Sequence, residues 1–415
     1  MASEFYPVYG GIGRFFTDMC KAFRDREETL FIFNNTYRGK NIFNILKYTK
    51  IFKLRDLLAL FKKRNYIFFF LYSIWKILTV KKVKLYFKLC MLLYLFIKQK
   101  IIISLLKNLS RIYPLVKKIN PDLIYGSVCD NVMMPLGFIL SRLIGKKFIC
   151  HAHGTDFLVR TRLSLKTHYL KLIDKIIVSS DKNKELIMKI NHLSEDKLIV
   201  IPYGLFLPDH EIKKDNLQIR NELNIKPKDF ILISVGRHAP RKNFQLVIQA
   251  MEFLKKSYSY PNIKYYLIGS GKETGRLKSM TQALGLNDEI IFLGAINDEM
   301  KKKYLKASDV FIMPSISMKK SIEGFGIVYL EANYYKLPVI GTSSGGIIGA
   351  IEDRKSGLLI KPDNLKDLVD AIVYLYENEE ERKRMGEYGY NRVINRYNWK
   401  LITNEYIKLF KATIK

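Results

Sequence analysis

Cysteine is scarce in this 415-residue chain, and the four present, Cys20, Cys90, Cys129 and Cys150, form no Cys-x-x-Cys pair. That scatter excludes a disulfide framework and a thiolate zinc site, and fits free thiols in a reducing compartment. The opening Met1-Ala2-Ser3-Glu4 has neither the basic start nor the apolar run of a secretory leader, so none is expected. Long uncharged apolar runs are missing too. Residues 65–106 are very apolar, but Lys76, Lys81, Lys82, Lys84, Lys88, Lys98 and Lys100 interrupt them, and the longest uncharged stretch there is Asn65–Trp75. A spanning helix needs about 20 mostly apolar residues, so no transmembrane segment is expected. No short-period repeat is present. Acids are nearly absent from one region: residues 40–120 hold 19 basic side chains and a single carboxylate, Asp56.

What is there is a globular composition, with 48% hydrophobic and 26% charged residues, long enough for two domains with their own cores. The net charge is +31, and it is uneven: +22 over residues 1–200 and +9 over residues 201–415. A positive field of that kind attracts polyanions, either nucleic acid or an anionic membrane surface. No zinc-finger or RNA-binding signature accompanies it, so nucleic acid is not expected as a partner. In residues 40–120 the lysines alternate with Phe, Leu, Ile and Tyr. Basic amphipathic helices of that composition suit docking on an anionic membrane. An ordinary helical face packed on its own domain has the same pattern.

Short apolar strands alternate with amphipathic helices along the chain. Arg14 to Phe23 reads as a helix after the glycine loop at 10–13, and residues 42–118 read as helical. Strands are expected at 123–125, 148–152, 175–179 and 198–201, with helices at 133–144 and 181–190. A polar stretch at 205–228 breaks the alternation. It restarts with strands at 231–235, 265–268, 290–293, 310–313, 339–340 and 357–360. Helices are expected at 244–254, 275–284, 298–307, 327–333 and 365–376. Repeated strand–helix units predict parallel sheets covered on both faces. Two runs predict two Rossmann-like domains, with ligands beyond the carboxyl ends of the strands, in the cleft between them.

Four segments could carry chemistry. In Glu323-Gly-Phe-Gly-Ile-Val-Tyr-Leu-Glu331 two carboxylates lie eight residues apart. Glu323 is expected in a loop and Glu331 two turns into the next helix. Gly324 and Gly326 let a ligand approach the backbone, and the first helical N–H groups form an anion site. Carboxylates flanking it can accept hydrogen bonds from sugar hydroxyls. The alternative, two solvated surface acids, is less consistent with the glycines. The second segment, Gly236-Arg237-His-Ala-Pro-Arg241-Lys242-Asn243, puts cations at the carboxyl end of a strand, where a diphosphate would sit. Arg237 and Lys242 are read as functional and Arg241 as surface charge. The third is His151-Ala-His153-Gly154-Thr155-Asp156. A His-x-His pair can ligate metal, but no third ligand is evident. His151 is read as a satisfied core histidine. The fourth, Gly10-Gly11-Ile12-Gly13, is a tight turn or a ligand loop. Gly269-Ser-Gly-Lys272-Glu-Thr274 is not a P-loop, because Tyr266 and Glu273 stand where the motif needs Gly and Ser or Thr. It can still flank a nucleotide.

Together these segments resemble the family 4 (group 1) glycosyltransferases, which have the GT-B fold: two Rossmann-like parallel-sheet domains facing across a cleft. The Glu-x7-Glu element, Gly236-Arg237 with Lys242, Pro314-Ser315, Thr342-Ser-Ser-Gly-Gly346 and Gly357-Leu-Leu-Ile-Lys-Pro362 carry the likeness. Glu4-Phe-Tyr-Pro7 leading into the glycine loop, His153-Gly-x-Asp156 and Ile201-Pro-Tyr-Gly204 extend it to the amino-terminal half.

The resemblance implies a retaining, metal-independent hexosyl transfer from a nucleotide diphosphate sugar to a glycan or lipid-linked acceptor, in cell-surface polysaccharide biosynthesis. It implies no resident cofactor. Arg237 and Lys242 would hold the diphosphate and Glu331 the ribose hydroxyls. Glu323 would contact the donor sugar, with backbone N–H groups of Phe325, Gly326 and Ile327. His153 would sit at the sugar's reacting face and Gly11 near the phosphates. The domains would be 1–203 for the acceptor, 204–390 for the donor, and 391–415 as closing helices crossing back. The enzyme is expected in the cytoplasm, peripheral on the inner face of the plasma membrane. A GT-B epimerase or phosphorylase and a polyanion-binding protein are the alternatives.

Two departures stand out. The apolar strand that usually precedes the Glu-Phe-Tyr-Pro-like segment is missing, so a longer native start is expected. Tyr203 stands where Asn is common, which is read as having little consequence for the chemistry.

Overall fold

The structure is a computed structural model. It describes residues 18–19, 22–23, 31–33, 45–47, 112–126, 133–157, 165–207, 214–258, 260, 262–319 and 321–415. The glycine loop with Gly11, the chain start and most of the basic region lie outside these residues. Among the described residues, 18–19 and 22–23 are helical, as are 112–119. The expected helix over 42–118 is corrected at one place. Ile45–Lys47 (β2) is a strand, paired antiparallel with Phe31–Phe33 (β1), Ile32 opposite Leu46. Both segments are short runs rich in aromatic and branched residues, which favour a pleated surface over a helix.

The amino-terminal sheet is parallel, with Leu123–Gly126 (β3), Lys147–Ala152 (β4), Lys175–Val178 (β5) and Leu198–Val200 (β6) side by side in chain order. Helices Met133–Leu143 (α1), Leu165–Leu172 (α2) and Asp181–Asn191 (α3) connect them. Every residue of β4 from Phe148 to Ala152 is buried, as expected where a sheet is covered on both faces.

Part of the polar stretch at 205–228 is helical. It contains helix Asn216–Glu222 (α4), started by a capping box: Asp215 accepts from the Gln218 N–H while the Gln218 side chain accepts from the Asp215 N–H. The buried Arg220 on this helix donates to Asp309 (2.7 Å) and to the carbonyls of Ala307 and Asp229 (both 2.9 Å). A polar helix is thereby anchored beneath the second sheet.

That sheet comprises Phe230–Val235 (β7), Ile263–Ile268 (β8), Ile290–Gly294 (β9), Val310–Ile312 (β10), Val339–Thr342 (β11) and Gly357–Ile360 (β12). Its order is β12-β11-β10-β7-β8-β9, all parallel. The chain winds outward from β7 through β8 and β9, then returns to the other side of β7 with β10. Loops leaving β7 and β10 therefore diverge and open a crevice at their carboxyl ends, the ligand-binding position of such sheets. Helices Phe244–Ser257 (α5), Thr274–Ala283 (α6), Asp298–Ala307 (α7), Ile327–Tyr334 (α8), Ile347–Ala350 (α9) and Leu365–Glu377 (α10) cover it.

Two further helices end the fold. Glu379–Arg396 (α11) packs on α8. Trp399–Ile414 (α12) returns to the amino-terminal sheet. Leu205 donates its N–H to the Tyr397 carbonyl (2.6 Å), and Trp399 donates back to the Leu205 carbonyl (3.2 Å). Tyr406, fully buried, meets Phe23 and Tyr125 edge-on, with ring centroids 6.2 and 6.3 Å apart.

Candidate active site

The crevice between β7 and β10 is lined by charged groups that have little access to water. Strand β10 ends at Ile312, and the chain then runs through Met313 and Pro314 to the Glu323–Gly326 loop. Gly326 caps α8 with φ +84°, a left-handed conformation that suits glycine, and a Cβ there would also strike the Tyr329 ring. Among the described residues, the N–H groups of Phe325, Gly326 and Ile327 meet no hydrogen-bond acceptor. They are the open donors of a helix start.

Glu323 has 12% of its side chain exposed and accepts from two cations. Lys242 Nζ donates to Oε2 at 2.6 Å, and Arg241 Nη1 donates to the same oxygen. Both cations come from a 3-10 turn, Pro240–Lys242, that leaves β7. Lys242 also lies 3.2 Å from Met313 Sδ. Burial pushes the Glu323 carboxyl up, but the charges and hydrogen bonds of Lys242 and Arg241 outweigh it and hold the carboxyl below its usual range. Burial lowers the Lys242 ammonium, assisted by Arg241 and Arg237 and opposed by Glu323. Arg237 is exposed at the mouth of the same turn.

Glu331 is buried on α8, with Lys301 Nζ of α7 at 3.5 Å. It stands four residues into the helix, just over one turn, and not the two turns expected, because α8 starts only at Ile327. The loop after β8 touches the loop after β7: His238 donates its N–H to the Ser270 carbonyl (3.0 Å), and Glu273 donates to the His238 carbonyl (3.2 Å). The Gly269–Thr274 segment thus flanks the cation turn.

The amino-terminal domain meets this loop from the other side. Ser179 Oγ, after β5, donates to the Gly324 carbonyl at 3.0 Å, and Asn183 Nδ2 on α3 donates to the same oxygen. A Cβ at Gly324 would run into the His153 carbonyl oxygen. The two domains therefore touch backbone to backbone at residues 153–154 and 324.

His153 follows β4 and is 4% exposed. The Asp156 carboxylate accepts from the backbone N–H groups of His153 (2.8 Å) and Gly154 (2.7 Å), which shapes the turn. The His153 ring stacks on His151 at 4.2 Å, and its Nδ1 is 2.5 Å from the Tyr203 hydroxyl. Tyr203 in turn packs on Phe325, with centroids 5.3 Å apart. His151 is fully buried, with the Tyr125 and Tyr406 hydroxyls each 3.1 Å from its Nδ1. Burial, then the neighbouring His153, lowers its basicity well below the usual value, in keeping with a neutral core histidine.

The structure brings Glu323, Lys242, Phe325, Gly326 and Ile327 into one cluster, with Arg237 at its edge, Glu331 along α8 and His153 opposite. Gly11 lies outside the described residues. Two sequence readings are corrected. Arg241 is not surface charge: it is part-buried on Glu323, because the 3-10 turn presents residues 241 and 242 to one carboxylate. Tyr203 is not incidental, since it holds a His153 nitrogen. Among the described residues no cluster of three or more His, Cys, Asp or Glu is arranged to hold a metal ion.

Two facing parallel-sheet domains with this crevice are the GT-B architecture of glycosyltransferases. A Rickettsia africae glycosyltransferase superposes with a TM-score of 0.64 at 21% identity, over 75% of this chain and 82% of that one. Anabaena HepE, solved in complex with UDP-glucose, gives 0.63 at 19% identity, over 73% and 82%. Residues 215–392 match the family described as "Glycosyl transferases group 1". That match lies in the carboxyl-terminal half, and the chain as a whole is similar to glycosyltransferases of that group. It is 26% identical over 244 residues to an uncharacterised glycosyltransferase of Methanocaldococcus jannaschii, covering 58% of this chain and 60% of that one. It is 27% identical to the Escherichia coli UDP-Gal:alpha-D-GlcNAc-diphosphoundecaprenol alpha-1,3-galactosyltransferase, over 71% of this chain and 76% of that one.

Proposed function

We propose that this chain transfers a hexosyl group, with retention at the anomeric carbon, from a nucleotide diphosphate sugar to a glycan or lipid-linked acceptor in cell-surface polysaccharide biosynthesis. The observation that carries the reading is the Lys242–Glu323–Arg241 cluster, at the switch point of the second sheet and against the His153 turn. The donor lies along α8: ribose hydroxyls on Glu331, diphosphate on Arg237 and Lys242, sugar between Glu323 and His153. Gly11 completes the phosphate side.

The diphosphate competes with Glu323 for the cations, which frees the carboxylate to accept from sugar hydroxyls. The bond from the anomeric carbon to the phosphate oxygen breaks, and its electrons leave with the diphosphate. Lys242, Arg237 and the open N–H groups of Phe325, Gly326 and Ile327 stabilise that charge, which is the main catalytic contribution. An acceptor hydroxyl bonds to the same face of the anomeric carbon and gives its proton to the departing phosphate oxygen. No metal is assigned a role, and no carboxylate nucleophile of the hydrolase kind is required.

The UDP-glucose complex of HepE and the UDP-galactose donor in the name of the E. coli relative support a uridine nucleotide. That relative's diphosphoundecaprenol acceptor supports a lipid-linked acceptor on the amino-terminal domain. Among the described residues no helix is long and apolar enough to cross a membrane. We place the protein at the cytoplasmic face, held there by the basic region.

Thermal-shift screening against UDP, GDP and their sugars identifies the donor, because a ligand of the folded state raises apparent stability. Glu323→Ala should remove transfer with the fold intact; full activity in that variant would overturn the site assignment.

A further inference from the structure

His153 has two ring nitrogens, and their roles depend on where the proton resides. Nδ1 is 2.5 Å from the Tyr203 hydroxyl, and both side chains are buried, 4% and 6% exposed. Burial, followed by the nearby Asp156, Tyr406 and Glu323, raises the Tyr203 phenol well above its usual value, so it keeps its proton. A phenol is a stronger acid than a neutral imidazole N–H, and an imidazole nitrogen is a stronger base than a phenol oxygen. The favoured direction is therefore Tyr203 O–H donating to Nδ1, and the hydrogen bond at one ring nitrogen sets the state of the other.

Contacts on both side chains fix the geometry of that bond. The Asp156 carboxylate pins the backbone at His153 and Gly154, His151 stacks on one ring face, and Phe325 packs against Tyr203. Phe325 belongs to the Glu323–Gly326 loop, so the phenol spans from that loop to the imidazole.

We propose that Tyr203 is a positioning residue for His153: its hydroxyl fixes Nδ1 as the acceptor, so Nε2 carries the proton and acts as a hydrogen-bond donor. Resting on the reading that His153 meets the donor sugar, Nε2–H serves a sugar oxygen. An imidazole with its proton on Nδ1 would present a lone pair there and could only accept.

The test is ¹⁵N NMR on the full chain with ¹⁵N-labelled histidine. Six histidines give few enough signals to assign His153 by its loss in His153→Gln. The expected wild-type pattern is an unprotonated Nδ1 and a protonated Nε2, and Tyr203→Phe, which keeps the ring contact with Phe325, should shift both signals toward averaged values. A proton on Nδ1 in the wild type, or signals unmoved in Tyr203→Phe, would overturn the proposal. The wild-type spectrum is decisive alone if Tyr203→Phe fails to fold. UDP-glucose turnover separates the two readings: His153→Gln at the wild-type rate would remove the sugar contact while leaving the tautomer result standing.

Discussion

Lys242 Nζ stands 2.6 Å from Glu323 Oε2, with both side chains nearly out of water. The residues are 81 positions apart and come from two loops that the reversal of strand order brings together. Removing one partner of a buried pair costs about 3–5 kcal/mol when the other is left alone. Here Arg241 remains on Glu323, so Lys242→Met should lose less than that in urea unfolding while abolishing transfer. An inactive but well-folded variant is the expected result.

The same pair gives a pH signature. The Glu323 carboxyl is held below its usual 4.5, so it contributes stability above that pH, and the contribution disappears as pH falls through the lower folded-state value. Urea midpoints of wild type and Glu323→Gln, compared from pH 7 down to 3, should therefore converge at the acid end. Parallel curves would contradict the assignment.

Arg241→Ala should lower kcat/KM by about 10- to 160-fold, the range for losing a charged hydrogen bond worth roughly 1.5–3 kcal/mol. An exposed arginine would have cost almost nothing, so steady-state kinetics decide between a site residue and a surface charge.

Gly324→Ala places a methyl group against the His153 carbonyl. The expected outcome is a cleft that cannot close: a larger radius of gyration by small-angle scattering, loss of transfer, and an almost unchanged unfolding temperature. Removing the Ser179 and Asn183 side chains with alanine should open the cleft by a smaller amount, since each donates to the Gly324 carbonyl.

Changing the lysines of residues 65–106 to glutamate should release the full chain from anionic liposomes in co-sedimentation. Equal binding by both forms would end the membrane-docking proposal.

The alternation of strands and helices was readable from sequence because parallel strands buried on both faces are short apolar runs. β12 and α7 match to the residue. The 18-residue α11 was not anticipated: it is polar on most of its surface and buries chiefly Met385, Gly386, Gly389 and Val393, too small a stripe to stand out. α4 carried a readable sign, Asp215 three residues before Gln218, that the polarity of the stretch obscured. In the site, Glu323 and Lys242 are marked by their glycines and strand ends. Arg241 is not, because its burial depends on a carboxylate 82 residues away. Tyr203 was underestimated for the same reason: nothing local to 201–204 reveals that its hydroxyl meets residue 153.

The docking of α12 has a consequence for the order in which the protein is made. Phe23, Tyr125 and His151 are among the earlier residues to leave the ribosome, yet all three pack against Tyr406. Domains made first ordinarily fold first during synthesis. Here the amino-terminal core lacks a fully buried tyrosine until residue 406 has been translated. The domain begun first is thus completed only after every strand of the second sheet has been made.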